Sequence, residues 1–96
     1  MKKLLIVCGA GHATSTVARM KVQEWLKNEN IADKVQVYQS AVGDEIKNIS
    51  EDKYDAVIST TIVPDYIKEK VINGVPLMTG MGIQNMYGEL KKRLNL

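Results

Sequence analysis

The chain's only cysteine, Cys8, stands between the apolar run Leu4-Leu5-Ile6-Val7 and a stretch of small and hydroxyl residues, Gly9-Ala10-Gly11-His12-Ala13-Thr14-Ser15-Thr16. Such a stretch suits an anion. Glycine and alanine let the main chain curl so that its N–H groups converge, and at a helix start those groups are unpaired and carry the positive end of the helix dipole. The same field favours the thiolate form of a nearby thiol, and the thiolate is the nucleophile. Cys8 is therefore a candidate phosphoryl acceptor. Gly9, Ala10, Gly11, His12, Ala13, Thr14, Ser15 and Thr16 are the candidate phosphate-binding residues around it.

Other phosphate loops fit less well. A nucleotide P-loop needs a lysine before its hydroxyl residue, and none stands here; a dinucleotide fingerprint needs a third glycine that is also missing. Cysteine-dependent phosphatases place an arginine six positions after the nucleophile, where this chain has Thr14. An arginine fork grips two phosphoryl oxygens and stabilises the transition state, so its absence predicts slow hydrolysis. A loop that takes a phosphoryl group onto sulfur yet activates water poorly holds it for another acceptor. Asp65, after Val63-Pro64, is the best candidate for a general acid, against the reading of an acidic residue in a helix's first turn. His12 is a candidate proton donor to the thiophosphate or a solvent-facing loop residue.

The elements that must position these residues alternate. Residues 3–7 read as a buried strand. Residues 14–28 carry Val17, Ala18, Met20, Val22, Trp25 and Leu26 on one helix face, with Thr14, Ser15 or Thr16 as N-cap. Strands follow at 35–40 and 56–59, with a short helix at 44–49 between them. Pro64 opens a helix at 65–70, and Asn73-Gly74 punctuates before a last strand at 75–79, which Pro76 marks as short or at an edge. The final helix is the cleanest, with Ile83, Met86, Tyr87, Leu90 and Leu94 on one face and a solvated basic end at Lys91, Lys92 and Arg93.

This alternation predicts an α/β fold: a single three-layer domain over residues 1–96, with a four-stranded parallel sheet in the order 2-1-3-4 and helices on both faces. Cys8 then lies at the carboxyl edge of a central strand, where such sheets bind ligands. The loops at 40–44, 60–65 and 80–82 are expected to form a rim for transient partners, with Cys8 exposed on it. Trp25 is expected to pack rather than stack on a ligand, while Met78, Met81 and Met86 read as core filler or an adaptable docking surface.

Composition bounds the function. The chain has 96 residues, 45% of them hydrophobic and 25% charged, which suits one core. Thirteen basic against eleven acidic side chains leave a formal charge of +2, too small to argue for nucleic acid. One cysteine forms no internal disulfide, and without a secretory signal the chain reads as cytoplasmic. The apolar run at 4–7 is far short of the ~20 residues of a membrane span. No metal or cofactor is required by the chemistry.

The run Cys8-Gly9-Ala10-Gly11-His12-Ala13-Thr14-Ser15-Thr16-Val17-Ala18 resembles the active-site loop of the IIB components of the bacterial sugar phosphotransferase system, particularly the galactitol type. The resemblance extends more loosely over nearly the whole chain, including residues 75–83. Residues 20–22 and 40–43 also resemble ascorbate-type IIB proteins, and lactose-type relatives are similar. It implies that Cys8 accepts phosphate from a phosphohistidine of the IIA component and passes it to a sugar, galactitol first among the candidates, bound by the membrane IIC component. It also implies that IIC recruits the protein to the inner face of the membrane. The alternatives from the residues are a small cysteine-dependent phosphatase and a phosphate-responsive regulatory module.

Overall fold

A computed structural model describes the backbone of residues 1–9 and 12–96, with side chains throughout except at residues 12–15. Four strands, β1 (Lys2–Cys8), β2 (Val35–Ala41), β3 (Ala56–Ser59) and β4 (Ile72–Asn73), form one sheet in the order β2-β1-β3-β4. All three pairings are parallel, with Leu4 opposite both Val37 and Ala56, and Ile58 opposite Ile72. The expected topology is therefore the observed one.

The continuous apolar run of β1 follows from its burial on both faces. Leu4 and Ile6 join one cluster with Ala56 and Ile58, while Leu5 and Val7 join the other with Val57. Successive strand side chains point to opposite faces, so a strand covered on both sides has no polar position to spare. Helices α1 (His12–Asn28) and α4 (Ile83–Leu94) close the first face. Helix α2 (Val42–Ser50) and a 3-10 helix (Asp65–Lys70) close the second, through Ile49 and Ile67. The result is three layers.

Helix α1 buries Ala18, Val22 and Leu26, with Trp25 half-buried and stacked on Tyr87 of α4 at 4.7 Å between ring centres. Trp25 is packing, as expected. Two residues assigned to that face are not on it: Val17 and Met20 are 44% and 64% exposed. The helix also begins at His12, so Thr14, Ser15 and Thr16 lie inside it rather than at its N-cap. Alanine at position 13 is the best helix former, and nothing between His12 and Thr14 bars an earlier start. In α4 the expected stripe holds, with Met86, Tyr87, Leu90 and Leu94 buried and Ile83 packed against the same cluster.

The largest correction concerns residues 75–79. They form a short helix, α3 (Val75–Thr79), and the fourth strand is the pair Ile72–Asn73 before it. Pro76 sits in the first turn of α3, where its fixed φ is already helical and its missing N–H has no partner to lose. Gly80 ends the helix in the left-handed region at φ 79°, and its N–H donates to the Pro76 carbonyl. Residues 65–70 form a 3-10 rather than an α-helix, with Pro64 just outside it. Met86 is buried and Met78 packs on the core, whereas Met81 is 80% exposed. Among the described residues no helix is long and apolar enough to cross a membrane.

Candidate functional site

Cys8 is the last residue of β1, opposite Ala41 on β2, and its neighbour Val7 lies opposite Ser59 on β3. The chain leaves β1 through α1 to reach β2 on one side, then returns through α2 to β3 on the other. The carboxyl end of β1 is thus the point where the strand order reverses, which is where open α/β sheets form a ligand crevice. Residues 9–11 alone separate the thiol from α1, so the free N–H groups of the helix start fall close behind it.

The thiol is less accessible than expected. Cys8 is 1% exposed, not displayed on a rim, because it still belongs to the paired strand and, by alternation, shares the covered face of Leu4 and Ile6. Gly9 is half-buried. Ala10 and Gly11 lie outside the described residues. His12, Ala13, Thr14 and Ser15 supply backbone to the first turn of α1, and the expected roles of their side chains, that of His12 included, also lie outside the described residues. Thr16 is exposed, and its hydroxyl accepts a hydrogen bond from Nε2 of Gln39 on β2 at 3.3 Å.

The other wall of the site comes from β3. Ser59 is 3% exposed; its hydroxyl donates to the Thr61 carbonyl at 2.8 Å and accepts from the Thr61 N–H at 3.1 Å. The Thr60 N–H donates to the Val7 carbonyl at 3.1 Å, extending the β1–β3 pairing one residue past the strand. Residues 60–65 were expected on a partner-facing rim, but an approach of Thr61 Oγ1 to within 3.4 Å of where a Cβ on Gly9 would lie was not. The available signal was the run Ser59-Thr60-Thr61, small and hydroxyl-bearing directly after an apolar strand, as at Thr14-Ser15-Thr16.

Beyond this turn opens a cleft of about 690 Å³ lined by Ser59, Thr60, Thr61, Asp65, Lys68 and Asn73, with Ile62, Val63, Val71 and Val75 as its apolar part. Asp65 is exposed on this cleft at the start of the 3-10 helix. Neither of the two arginines reaches it. Arg19 lines a separate groove with the first residues of β2, and Arg93 pairs with Glu89 on α4 at 2.9 Å. The cation that lines the cleft is Lys68.

Fold and site together define a three-layer α/β protein with a cysteine at the carboxyl end of its central strand, followed by a short turn into a helix. Residues 3–92 match the family described as PTS system, lactose/cellobiose specific IIB subunit, and the chain belongs to that family. It is also similar to the galactitol-specific EIIB component of the PTS system of Escherichia coli (strain K12), 25% identical over 89 residues that cover 93% of this chain and 92% of that protein. Membership makes the chain a sugar phosphoryl carrier, with phosphotransferase activity in general, of a kind that works with IIA and IIC components.

Proposed function

We propose that Cys8 is the phosphoryl carrier, accepting phosphate from a phosphohistidine of a IIA component and giving it to a sugar or sugar alcohol held by a membrane IIC component. Galactitol is the sugar proposed, from the similarity to the galactitol-specific protein. The observation that carries this reading is the place of the thiol, at the carboxyl end of the central strand with a helix start three residues beyond Gly9.

In the first step the Cys8 thiolate attacks phosphorus in line; the S–P bond forms as the P–N bond breaks, and the departing imidazole takes up a proton. The backbone N–H groups from Gly9 to the first turn of α1 hold the equatorial oxygens, with the hydroxyls of Thr14, Ser15 and Thr16 assisting. In the second step a sugar hydroxyl attacks, the O–P bond forms as the S–P bond breaks, the thiolate leaves, and the hydroxyl proton is released to solvent. Burial of Cys8 suits a thiophosphate that must outlast water until its acceptor docks. Thr14 at the position where phosphatases place arginine argues the same way, against a phosphatase. Docking to IIC would bring the protein to the cytoplasmic face of the membrane.

Intact-protein mass spectrometry tests this, after incubation with phosphoenolpyruvate, the general phosphotransferase proteins and a IIA component. One phosphoryl addition, lost in Cys8→Ala, is expected. Steady hydrolysis of an aryl phosphate without any addition would instead make the chain a phosphatase.

A further inference from the structure

The turn after β3 is built more firmly than a partner-facing loop needs. Ser59 holds the backbone of Thr61 at both its N–H and its carbonyl, and the Thr60 N–H is tied to β1 through the Val7 carbonyl. From the other side the Gly74 N–H donates to the Ser59 carbonyl at 2.7 Å. All three anchors are backbone or buried. Together they fix the backbone from which the Thr61 side chain projects.

That side chain points at the residue next to the thiol's own. A Cβ placed on Gly9 would lie 3.4 Å from Thr61 Oγ1 and 3.9 Å from Thr61 Cβ, so the hydroxyl leans toward Gly9 more closely than the carbon that bears it. Among the described residues the Thr61 hydroxyl makes no hydrogen bond, while its backbone N–H and carbonyl are both paired with Ser59. The side chain is exposed and lines the cleft beside the turn. Helix α1 packs on β1 and β2, on the β2 side of the strand that ends in Cys8. Thr61, in the turn after β3, stands on the β3 side.

We propose that Thr61 is a phosphoryl-binding residue: its hydroxyl donates to an equatorial oxygen of the phosphoryl group on Cys8, opposite the amides of the α1 start. This rests on the reading of Cys8 as carrier. The hydroxyl neither gives up nor takes a bond during transfer. It supplies a neutral donor in the role that arginine plays in phosphatases, without the charge and the fork that favour attack by water.

Single-turnover transfer from a phosphorylated IIA component to the full chain tests the proposal, read together with the ³¹P resonance of the phosphocysteine. Thr61→Val keeps the shape and removes the donor. It is expected to lower the rate at saturating donor by about tenfold to a hundredfold, with half-saturation unchanged, and to move the ³¹P resonance. Thr61→Ser, which restores the hydroxyl, is expected to recover both. Transfer by Thr61→Val at the native rate with an unmoved resonance would overturn the proposal, as would a loss in Thr61→Ser as large as that in Thr61→Val. Absence of phosphocysteine in the unaltered chain is a separate result; it removes the carrier reading and this proposal with it.

Discussion

Ser59 is the buried polar side chain of the described core, and its hydroxyl is satisfied twice by the backbone of one residue, Thr61. Removing it takes a partner from the N–H and the carbonyl of Thr61, so Ser59→Ala should cost about 1 kcal/mol in urea unfolding. Cys8 presents the opposite case. Serine nearly matches its size, so Cys8→Ser should leave the circular dichroism spectrum native while abolishing phosphoryl transfer, because the hydroxyl is a far weaker nucleophile at neutral pH. Normal relay by that variant would remove the proposed mechanism. Thr14→Arg places a guanidinium at the position phosphatases use. A shorter lifetime of the phosphorylated protein, followed by mass spectrometry, is the expected outcome.

At the scale of elements, the short β4–α3 unit matters most, since it backs the turn that carries Thr61. Gly74 lets it approach: a Cβ there would lie 2.7 Å from Ile58 Cγ2 and 2.9 Å from the Ser59 carbonyl oxygen. The second contact is with backbone, which cannot swing away. Gly74→Ala should therefore cost about 1–3 kcal/mol in urea unfolding, and an unchanged midpoint would show that the unit moves freely. Lys21 on α1 ties the same unit from its other end, its Nζ donating to the Leu77 carbonyl at 2.7 Å. Residues 75–79 were legible as an ordered apolar run but not as a helix. Five residues are too few to separate period two from period 3.6, and Pro76 fits both a strand edge and a first helical turn.

The whole molecule is a sheet covered on both faces, and each face has its own lock. On one, Trp25 and Tyr87 stack between α1 and α4. On the other, the Tyr54 hydroxyl donates to Glu45 Oε1 of α2 at 2.7 Å, and Asn48 Nδ2 donates to the same oxygen at 3.2 Å. Burial first, and then the Glu45 carboxylate, push the Tyr54 pKa up from 10.0 to about 12. The folded state thus keeps a proton that the unfolded chain gives up near pH 10. This contribution is complete below pH 10 and is lost as pH rises toward 12. The melting temperature should fall across that window more steeply in the native chain than in Tyr54→Phe.

Sequence alone determined the alternation of strands and helices, the doubly buried β1, the stripe of α4 and the seam at which Cys8 stands, because each is written in the spacing of residues that are near neighbours in the chain. Parallel pairing and right-handed crossovers then left few arrangements, and the order β2-β1-β3-β4 was among them. Tertiary structure decided the rest. Whether Cys8 is covered depends on its pairing with Ala41, far along the chain. Whether Thr61 faces Gly9 depends on strand register and on a hydroxyl turn locked from behind by Gly74. Such contacts join residues that only the packed sheet brings together, so no local periodicity encodes them.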